Sequence, residues 1–586
     1  MPRGKRIIMC GIFGYVGTET NIAPMVVAAL RTMEYRGYDS WGIGWDDGTA
    51  LTCVKSPGRV PPDLTCVPHA SLALGHTRWA THGGVTAANA HPHLDCTAQV
   101  GVVHNGVIEN AELLREHLAR SHRLQSDTDS EAIAHMIEDE MANGTVFGCA
   151  VGRVFLALHG SNAIVACDRR TKEIAAVTSR SPLRLGRSAE GWCLASDPLA
   201  LTGLSDEVAV IPDNALLRLD QERATLTDLA TGRSLPLEWM PVPREQDVLL
   251  GNFEHYMGKE IHEQPEVIER LLLQDQEAAW LRDALSRFDH ILVTGCGSAY
   301  YAGAMGADWL REVCPAWVDV LPASEVHAEL RHRHERTLLL ALSQSGETAD
   351  VVDAIYIAKG WGATTAALVN TASSTVARIV DYVVPLHAGV ERSVLATKSF
   401  LAMVVRMMQL TSSPDVARHN MGRALPLVRS VLDCDVIHEV AGHIAEREDV
   451  LVLGKGTGHK LALEAALKLK EGCYVHAEAF LAGELKHGPL ALVTDGLPSV
   501  LFATSEAEAT SCRIAAREIA SRGGLTIGIG TFGPSDCAIT LPLPERGRAM
   551  VLPAIVVAQL VAYGVARRRG IDPDFPRNLA KSVTVR

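Results

Sequence analysis

Residues 291–303 read ILVTGCGSAYYAG, and residues 450–462 read VLVLGKGTGHKLA. Each stretch is an apolar run of strand length that passes through Gly-x-Gly into Ser298 or Thr457 and then into a helical pattern. The copies lie 159 residues apart, so the second half reads as two similar α/β domains in tandem. From about residue 280 onward apolar strands alternate with amphipathic helices, a pattern that predicts βαβ units and parallel sheets. Tyr300 and His459 stand where a dinucleotide fingerprint G-x-G-x-x-G would need its third glycine, which argues against that site.

The first half has a different texture. Short strand-like runs such as Ala98–Val103 and Ala163–Cys167 mix with helical stretches up to about residue 240, an α+β pattern. Pro236, Pro241 and Pro243 then mark a linker. A length of 586 residues fits three or four domains at roughly 150 residues each. With 47% hydrophobic and 21% charged residues the composition is globular, which excludes disorder or coiled coil as the main architecture. The net charge of −13 and the lack of any basic stripe exclude a nucleic-acid partner. Thirteen cysteines with no Cys-x-x-Cys pair read as reduced thiols in a cytoplasmic protein. The apolar part of residues 1–9, MPRGKRIIM, is too short for a secretion signal. The apolar run Val551 to Ala566 contains Pro553 and Gln559, and it predicts a buried helix with no role in a membrane.

Cys10 opens CGIFGYVG directly after Met9. Alone it fits a buried cysteine of the first strand or an N-terminal nucleophile. In the second case either translation begins at Met9, which is then removed, or residues 1–9 are clipped, and a thiol and an α-amine come to sit on one residue. An α-amine with a pKa of about 7.7–8.0 suits a general base at neutral pH, and no histidine partner is then needed. The motifs that follow are YRGYDS (35–40), HTRWATHG (76–83), NAHPH (89–93), HNGVIEN (104–110) and SDTDSE (126–131). In this order they resemble the glutaminase domain of class II glutamine amidotransferases, an αββα N-terminal-nucleophile hydrolase fold. That resemblance implies Cys10 as nucleophile, with Asn105 and the N–H of Gly106 as the oxyanion site. It implies Arg78 on the glutamine carboxylate, Asp129 on its ammonium, and Thr81 and His82 in the same pocket. Trp79 resembles the gate residue of an ammonia passage.

In the second half, LLLALSQSGETADVVDAI runs from a strand through Ser343, Gln344, Ser345, Gly346, Glu347 and Thr348 into a helix. Hydroxyls and N–H groups at a helix start suit a phosphate, although plain N-capping by Ser345 fits as well. The segment resembles the phosphosugar-binding loop of sugar isomerase (SIS) domains, and with it Ser298 is implied on the same ligand. Glu464, Lys468 and Glu471 share one helix face by their spacing, which also fits an ordinary solvated stripe. That helix, the HAEAFLAGELKHGPLAL segment with His487 and the tail PRNLAKSVTVR with Lys581 resemble the family that joins a glutaminase to two SIS domains. The resemblance implies conversion of fructose 6-phosphate and L-glutamine to glucosamine 6-phosphate and L-glutamate, with ammonia passed internally. Lys581 would form a Schiff base, His487 would assist ring opening in a neighbouring subunit of a homodimer or larger assembly, and Glu471 would move the proton. Glu464 and Lys468 would support them, with no cofactor and no metal. The expected layout is an extension over 1–9, a glutaminase over 10–235, a hinge over 236–280, SIS domains over 281–425 and 438–575, and a catalytic tail over 576–586.

The chain departs from the family pattern at Ala299 and Ala396, where hydroxyls near the sugar are usual, and at Ser393, which replaces a glycine. These changes leave open the same chemistry on a different ketose phosphate. A non-catalytic phosphosugar-binding regulator is a further alternative, but it would have no reason to keep Glu471, His487 and Lys581 beside a complete glutaminase set.

Overall fold

Strand Gly11–Gly17 shows how the first unit is layered. Ile12 and Val16 enter one apolar core while Phe13 and Tyr15 enter another, because successive side chains leave opposite faces of a strand. The computed structural model describes residues 10–64, 69–80, 82–242, 249–329, 336–544 and 547–581. They form two compact units: Cys10 to Leu249 with Ala580 and Lys581, and Leu250 to Leu579.

In the first unit Gly11–Gly17 lies inside an eight-stranded antiparallel sheet, between Gly191–Ala195 and Leu72–Arg78. Val100–Gly106 and Asn162–Asp168 belong to a second antiparallel sheet of seven strands. The sheets pack face to face through Ile12, Leu74, Val103, Val165 and Leu217. Helix Ala23–Met33 covers the outer face of the first sheet, through Val26 and Leu30 against Phe13 and Ala73. Helices Glu131–Ala142 and Phe147–Ala157 cover the outer face of the second, through Ile133, Ile137 and Val151 against Val102, Ala166 and Val177. The result is the expected four-layer αββα sandwich.

The second unit contains two five-stranded parallel sheets of identical strand order. The first runs Trp317–Pro322, His290–Gly295, Thr337–Ser343, Thr364–Val369 and Tyr382–Pro385; the second runs His476–Leu481, Asp449–Gly454, Pro498–Ala503, Leu525–Gly530 and Ile539–Pro542. The repeated Gly-x-Gly turns also match in conformation, with Gly297 at φ 54°, ψ −127° and Gly456 at φ 55°, ψ −122°. In such sheets ligands sit at the carboxyl ends of the strands where the winding reverses. Here that point lies between His290–Gly295 and Thr337–Ser343 in one copy, and between Asp449–Gly454 and Pro498–Ala503 in the other.

The stretch expected as a hinge is different in structure. Residues 256–262, 264–273 and 276–284 are helices, and Met257, Ile261, Val267, Ile268, Leu271, Ala278 and Leu281 are buried in the core of the second unit. Their apolar spacing is that of core-facing helices, and the prolines upstream drew attention away from it. Helix Val551–Arg568, the long apolar run, is buried in the same core. Its one polar interior residue, Gln559, accepts from Gln264 Nε2 at 2.7 Å and donates to Thr397 O at 3.1 Å, so both ends of the Gln559 amide are bonded.

Candidate active sites

Cys10 precedes the strand Gly11–Gly17, and the motifs around it converge on its thiol. The backbone N–H of Trp79 donates to Cys10 Sγ at 3.2 Å. Trp79 comes this close because Gly37 lies against it; a Cβ on Gly37 would stand 2.8 Å from Trp79 N. Tyr38 meets the Trp79 ring edge-on at 5.4 Å, and Asp39 Oδ2 accepts from Ala80 N at 2.9 Å. YRGYDS therefore braces the turn that follows Arg78. Behind it, Arg36 Nη1 donates to Asp197 Oδ2 and to Ser196 O, both at 2.9 Å. Burial pushes the Cys10 thiol up to about 11, against the lowering effect of Trp79 N–H and of the Arg78 charge. A thiol so placed needs a base to lose its proton at neutral pH.

Asn105 and Gly106 end the strand Val100–Gly106, and Asn105 reaches Cys10. Asn105 Nδ2 donates to Cys10 O at 2.9 Å, and Asn105 Oδ1 lies 3.1 Å from His76 Nε2. The same Nε2 is 3.1 Å from His104 O. Both neighbours are acceptors, so Nε2 carries the hydrogen and fixes which way the amide faces. Burial pulls the His76 pKa down to about 3, which keeps that ring neutral. Gly106 sits at φ 141°, and a Cβ there would stand 2.3 Å from Ser161 O. Only glycine fits the bend.

Arg78 and Asp129 are both buried. The Arg78 guanidinium donates to Gly84 O at 3.2 Å and to His82 O. Asp129 Oδ2 accepts from Ile108 N at 2.9 Å and stands 4.0 Å from His82 Nδ1. Thr81 lies outside the described residues.

In the second unit the loop Ser343–Thr348 is a tight turn between strand and helix. Ser343 Oγ accepts from Gly346 N at 2.9 Å, and Ser345 Oγ accepts from Glu347 N at 3.1 Å. Gly346 takes φ 66°, and a Cβ there would strike Ser374 Oγ at 2.0 Å. Helix Ala349–Gly360 has Thr348 as its N-cap, with no side-chain cap bond, so Ser345 does not cap this helix. Gln344, Ser345 and Thr348 remain partly exposed at the turn.

Helix Thr457–Cys473 carries the Glu-Lys-Glu set, and it is not a solvated stripe. Lys468 is 0% and Glu464 2% exposed. Lys468 Nζ lies 3.3 Å from Glu464 Oε1, 2.7 Å from Glu471 Oε2 and 2.9 Å from Ser298 Oγ. Ser298 Oγ in turn donates to Glu464 Oε1 at 3.0 Å. Burial raises the Glu464 pKa to about 7 although Lys468 opposes it. Burial disfavours the Lys468 ammonium, but the two carboxylates outweigh it and hold its pKa above the ordinary lysine value. Glu471 reaches an open cleft of about 350 Å³ lined by Lys470, Tyr474, Arg577, Asn578 and Leu579. The Arg577 guanidinium stacks 4.1 Å above the Tyr474 ring, which fixes the tail where it passes this cleft. Lys581 is half-buried. His487 ends a short 3-10 turn and is exposed.

The second repeat differs at the equivalent place. Glu508 Oε1 accepts from Thr457 N at 2.9 Å, and Glu508 Oε2 accepts from Thr504 N at 2.7 Å. Ser505 Oγ accepts from Glu508 N at 3.4 Å as the N-cap of helix Glu506–Ala520. A protein carboxylate thus fills the anion position of the second copy. In the first copy the loop carboxylate, Glu347, turns away to accept from Thr375 N at 3.1 Å. Sequence alone did not separate the two copies, although the Ser505-x-x-Glu508 spacing was there to be read.

An αββα sandwich whose first strand follows Cys10, joined to paired parallel sheets, defines a glutamine amidotransferase joined to sugar isomerase domains. The glutamine amidotransferase domain family matches residues 76–203, and the SIS domain family matches residues 284–413 and 443–538. The glutamine–fructose-6-phosphate aminotransferase (isomerizing) of Halobacterium salinarum is 38% identical, over 98% of this chain and the whole of that protein. That of Pyrococcus horikoshii is 37% identical over the same shares. Among solved structures, the C-terminal domain of the Francisella tularensis glucosamine–fructose-6-phosphate aminotransferase is 29% identical with a TM-score of 0.51, covering 55% of this chain and 99% of that one. The chain belongs to the glutamine–fructose-6-phosphate aminotransferase (isomerizing) family.

The ion cluster makes a stability prediction. Lys468→Met leaves two carboxylates without their buried countercharge, which costs about 3–5 kcal/mol. Urea denaturation of the variant should show a lower midpoint by a corresponding amount. The double variant Glu464→Leu/Lys468→Met should recover at least half of that loss. A single variant as stable as the parent would mean that Lys468 is not the charge on which the cluster depends.

Proposed function

We propose that the chain transfers the amide nitrogen of L-glutamine to fructose 6-phosphate, yielding glucosamine 6-phosphate and L-glutamate. The observation that carries the first half is the Asn105 amide, turned by His76 and donating to Cys10 O. In a chain beginning at Cys10, Sγ attacks the amide carbon of glutamine while its proton passes to the α-amine of the same residue. Asn105 Nδ2 and Gly106 N–H receive the oxyanion. The C–N bond breaks, ammonia leaves with the proton, and water hydrolyses the thioester to glutamate. Arg78 holds the substrate carboxylate, Asp129 its ammonium, and Thr81 and His82 complete the pocket. Trp79, braced by Tyr38, controls the exit of ammonia.

At the sugar site Ser343, Gln344, Ser345 and Thr348 hold the phosphate. Ser298 adds its N–H, since its hydroxyl is engaged between Glu464 and Lys468. Lys581 forms a Schiff base at C2 of the open ketose, and ammonia displaces it there. Glu471, aimed by Lys468, then moves a proton from C1 to C2, giving the aldose amine. His487 serves ring opening in the site of a second copy. Its exposure, beside the exposed Leu481 and Leu492, supports that assignment and a homodimer or larger assembly. The twelve described cysteines are all unpaired, which supports a cytoplasmic home.

Three experiments test this reading. Intact-mass measurement of active protein should give a chain starting at Cys10, and Cys10→Ala should abolish glutamine hydrolysis while sparing ketose isomerisation. An active glutaminase that keeps residues 1–9 would refute the mechanism. Borohydride reduction with fructose 6-phosphate should add the sugar's mass to the peptide containing Lys581; an adduct on Lys468 or Lys486 would overturn that role. Ala299 and Ala396 are both half-buried against the core of the second unit, where hydroxyls are usual in the family. Restoring serine at both should raise kcat/KM for fructose 6-phosphate by up to about a hundredfold, at roughly 0.5–1.5 kcal/mol per recovered bond. A panel of ketose phosphates reads the result. If another ketose phosphate is the natural substrate, the double variant loses on that sugar, and unchanged selectivity would show that neither position reads the substrate.

A further inference from the structure

Away from both sites, Cys96, His122, His135 and Glu138 bring four metal-ligating atoms to within 4.8 Å of one another. Cys96 follows strand His93–Leu94, His122 follows helix Ala111–Leu118, and His135 and Glu138 lie one turn apart on helix Glu131–Ala142. Cys96 Sγ is 3.4 Å from His122 Nδ1 and 3.6 Å from His135 Nδ1. Glu138 Oε2 is 3.3 Å from His122 Nδ1 and 3.2 Å from His135 Nδ1. A tetrahedral zinc ion with Zn–S of about 2.3 Å and Zn–N and Zn–O of about 2.0–2.1 Å has S···N edges of about 3.5 Å and N···O edges of about 3.3 Å. All four measured edges fall within about 0.2 Å of those values.

The surroundings of the cluster agree. His122 Nε2 lies 2.9 Å from Asp139 Oδ1, and His135 Nε2 lies 3.9 Å from Glu131 Oε1. The Asp139 carboxylate on the far nitrogen of His122 places the hydrogen there and turns its Nδ1 lone pair inward, the usual second partner of a metal-bound histidine. The Nδ1 atoms of both histidines face the same carboxylate oxygen and the same sulfur, a set of donors that a cation satisfies. Cys96 is exposed and gives the ion a way in.

We propose that Cys96, His122, His135 and Glu138 form a structural zinc site. One sulfur, two imidazoles and one carboxylate suit Zn²⁺ and disfavour Mg²⁺ or Ca²⁺, which take oxygen ligands in larger shells. Four protein ligands leave no open position, so the ion holds structure and does no chemistry. It ties helix Glu131–Ala142 to the turn after His93–Leu94 and to the segment after helix Ala111–Leu118. Binding releases the Cys96 thiol proton to solvent. The alternative is a network of hydrogen bonds and ion pairs among the same groups, with no metal affinity.

The test uses the full chain, reduced and stripped with a chelator, then titrated with CoCl2. One equivalent should bind and give the intense visible bands of tetrahedral cobalt, with a thiolate-to-cobalt band in the near ultraviolet. ZnCl2 should abolish both. Cys96→Ser should lose the near-ultraviolet band, His122→Gln should lose binding at least a hundredfold, and Cys149→Ser, at an exposed position elsewhere, should keep both. Zinc should raise the melting temperature of the parent chain and leave that of His122→Gln unchanged. The parent spectrum needs no variant to be decisive: no uptake, or the weak bands of octahedral cobalt, overturns the proposal. Equal uptake by the parent, Cys96→Ser and His122→Gln overturns it as well.

Discussion

The second unit depends on one buried ammonium. Lys468 has no exposed surface, and its charge is divided between Glu464, Glu471 and the hydroxyl of Ser298. Ser298 starts the first helix of one repeat, and the other three residues share a helix of the other. The ion cluster therefore sets the position of one repeat against its twin. Desolvating these charges costs several kcal/mol, repaid only while every partner is in place. A chain that needed only stability would do better with apolar residues here. Keeping the charges fixes Glu471, the outermost of them, where it meets the open cleft beside Tyr474 and Arg577.

The first unit meets a similar constraint with neutral groups. His76 is held neutral by burial, Asn105 is turned by it, and Gly106 is bent where no side chain fits. Groups fixed in this way keep their orientation without help from solvent. The same burial raises the thiol pKa of Cys10, against the pull of the Trp79 N–H and the Arg78 charge.

Much of this was legible in the sequence because it is local. The Gly-x-Gly turns announced both parallel sheets, and the i, i+4, i+7 spacing placed Glu464, Lys468 and Glu471 on one face. What spacing could not give was burial: a solvated stripe and a sealed ion cluster share the same letters until Ser298, far away in the chain, is folded against them. The helices between residues 256 and 284 were hidden for the opposite reason, since neighbouring prolines suggested a linker while the apolar period beneath them specified core. The Cys96 cluster was invisible because its members are spread from Cys96 to Glu138 in no recognised metal spacing. The division between the two repeats hung on Glu508, which reaches from its own loop at Thr504 to the start of a different helix at Thr457.

That carboxylate bears on how the tandem arose. A duplicated domain begins with two equivalent ligand sites, and either copy is then free to drift. Here one copy closed its own site with an internal acid, which removed the need for an outside anion to neutralise the start of its helix. It became a permanently satisfied scaffold. Its sister keeps a loop whose own carboxylate, Glu347, is turned away to Thr375, so two copies built on one strand order no longer ask the same thing of their surroundings.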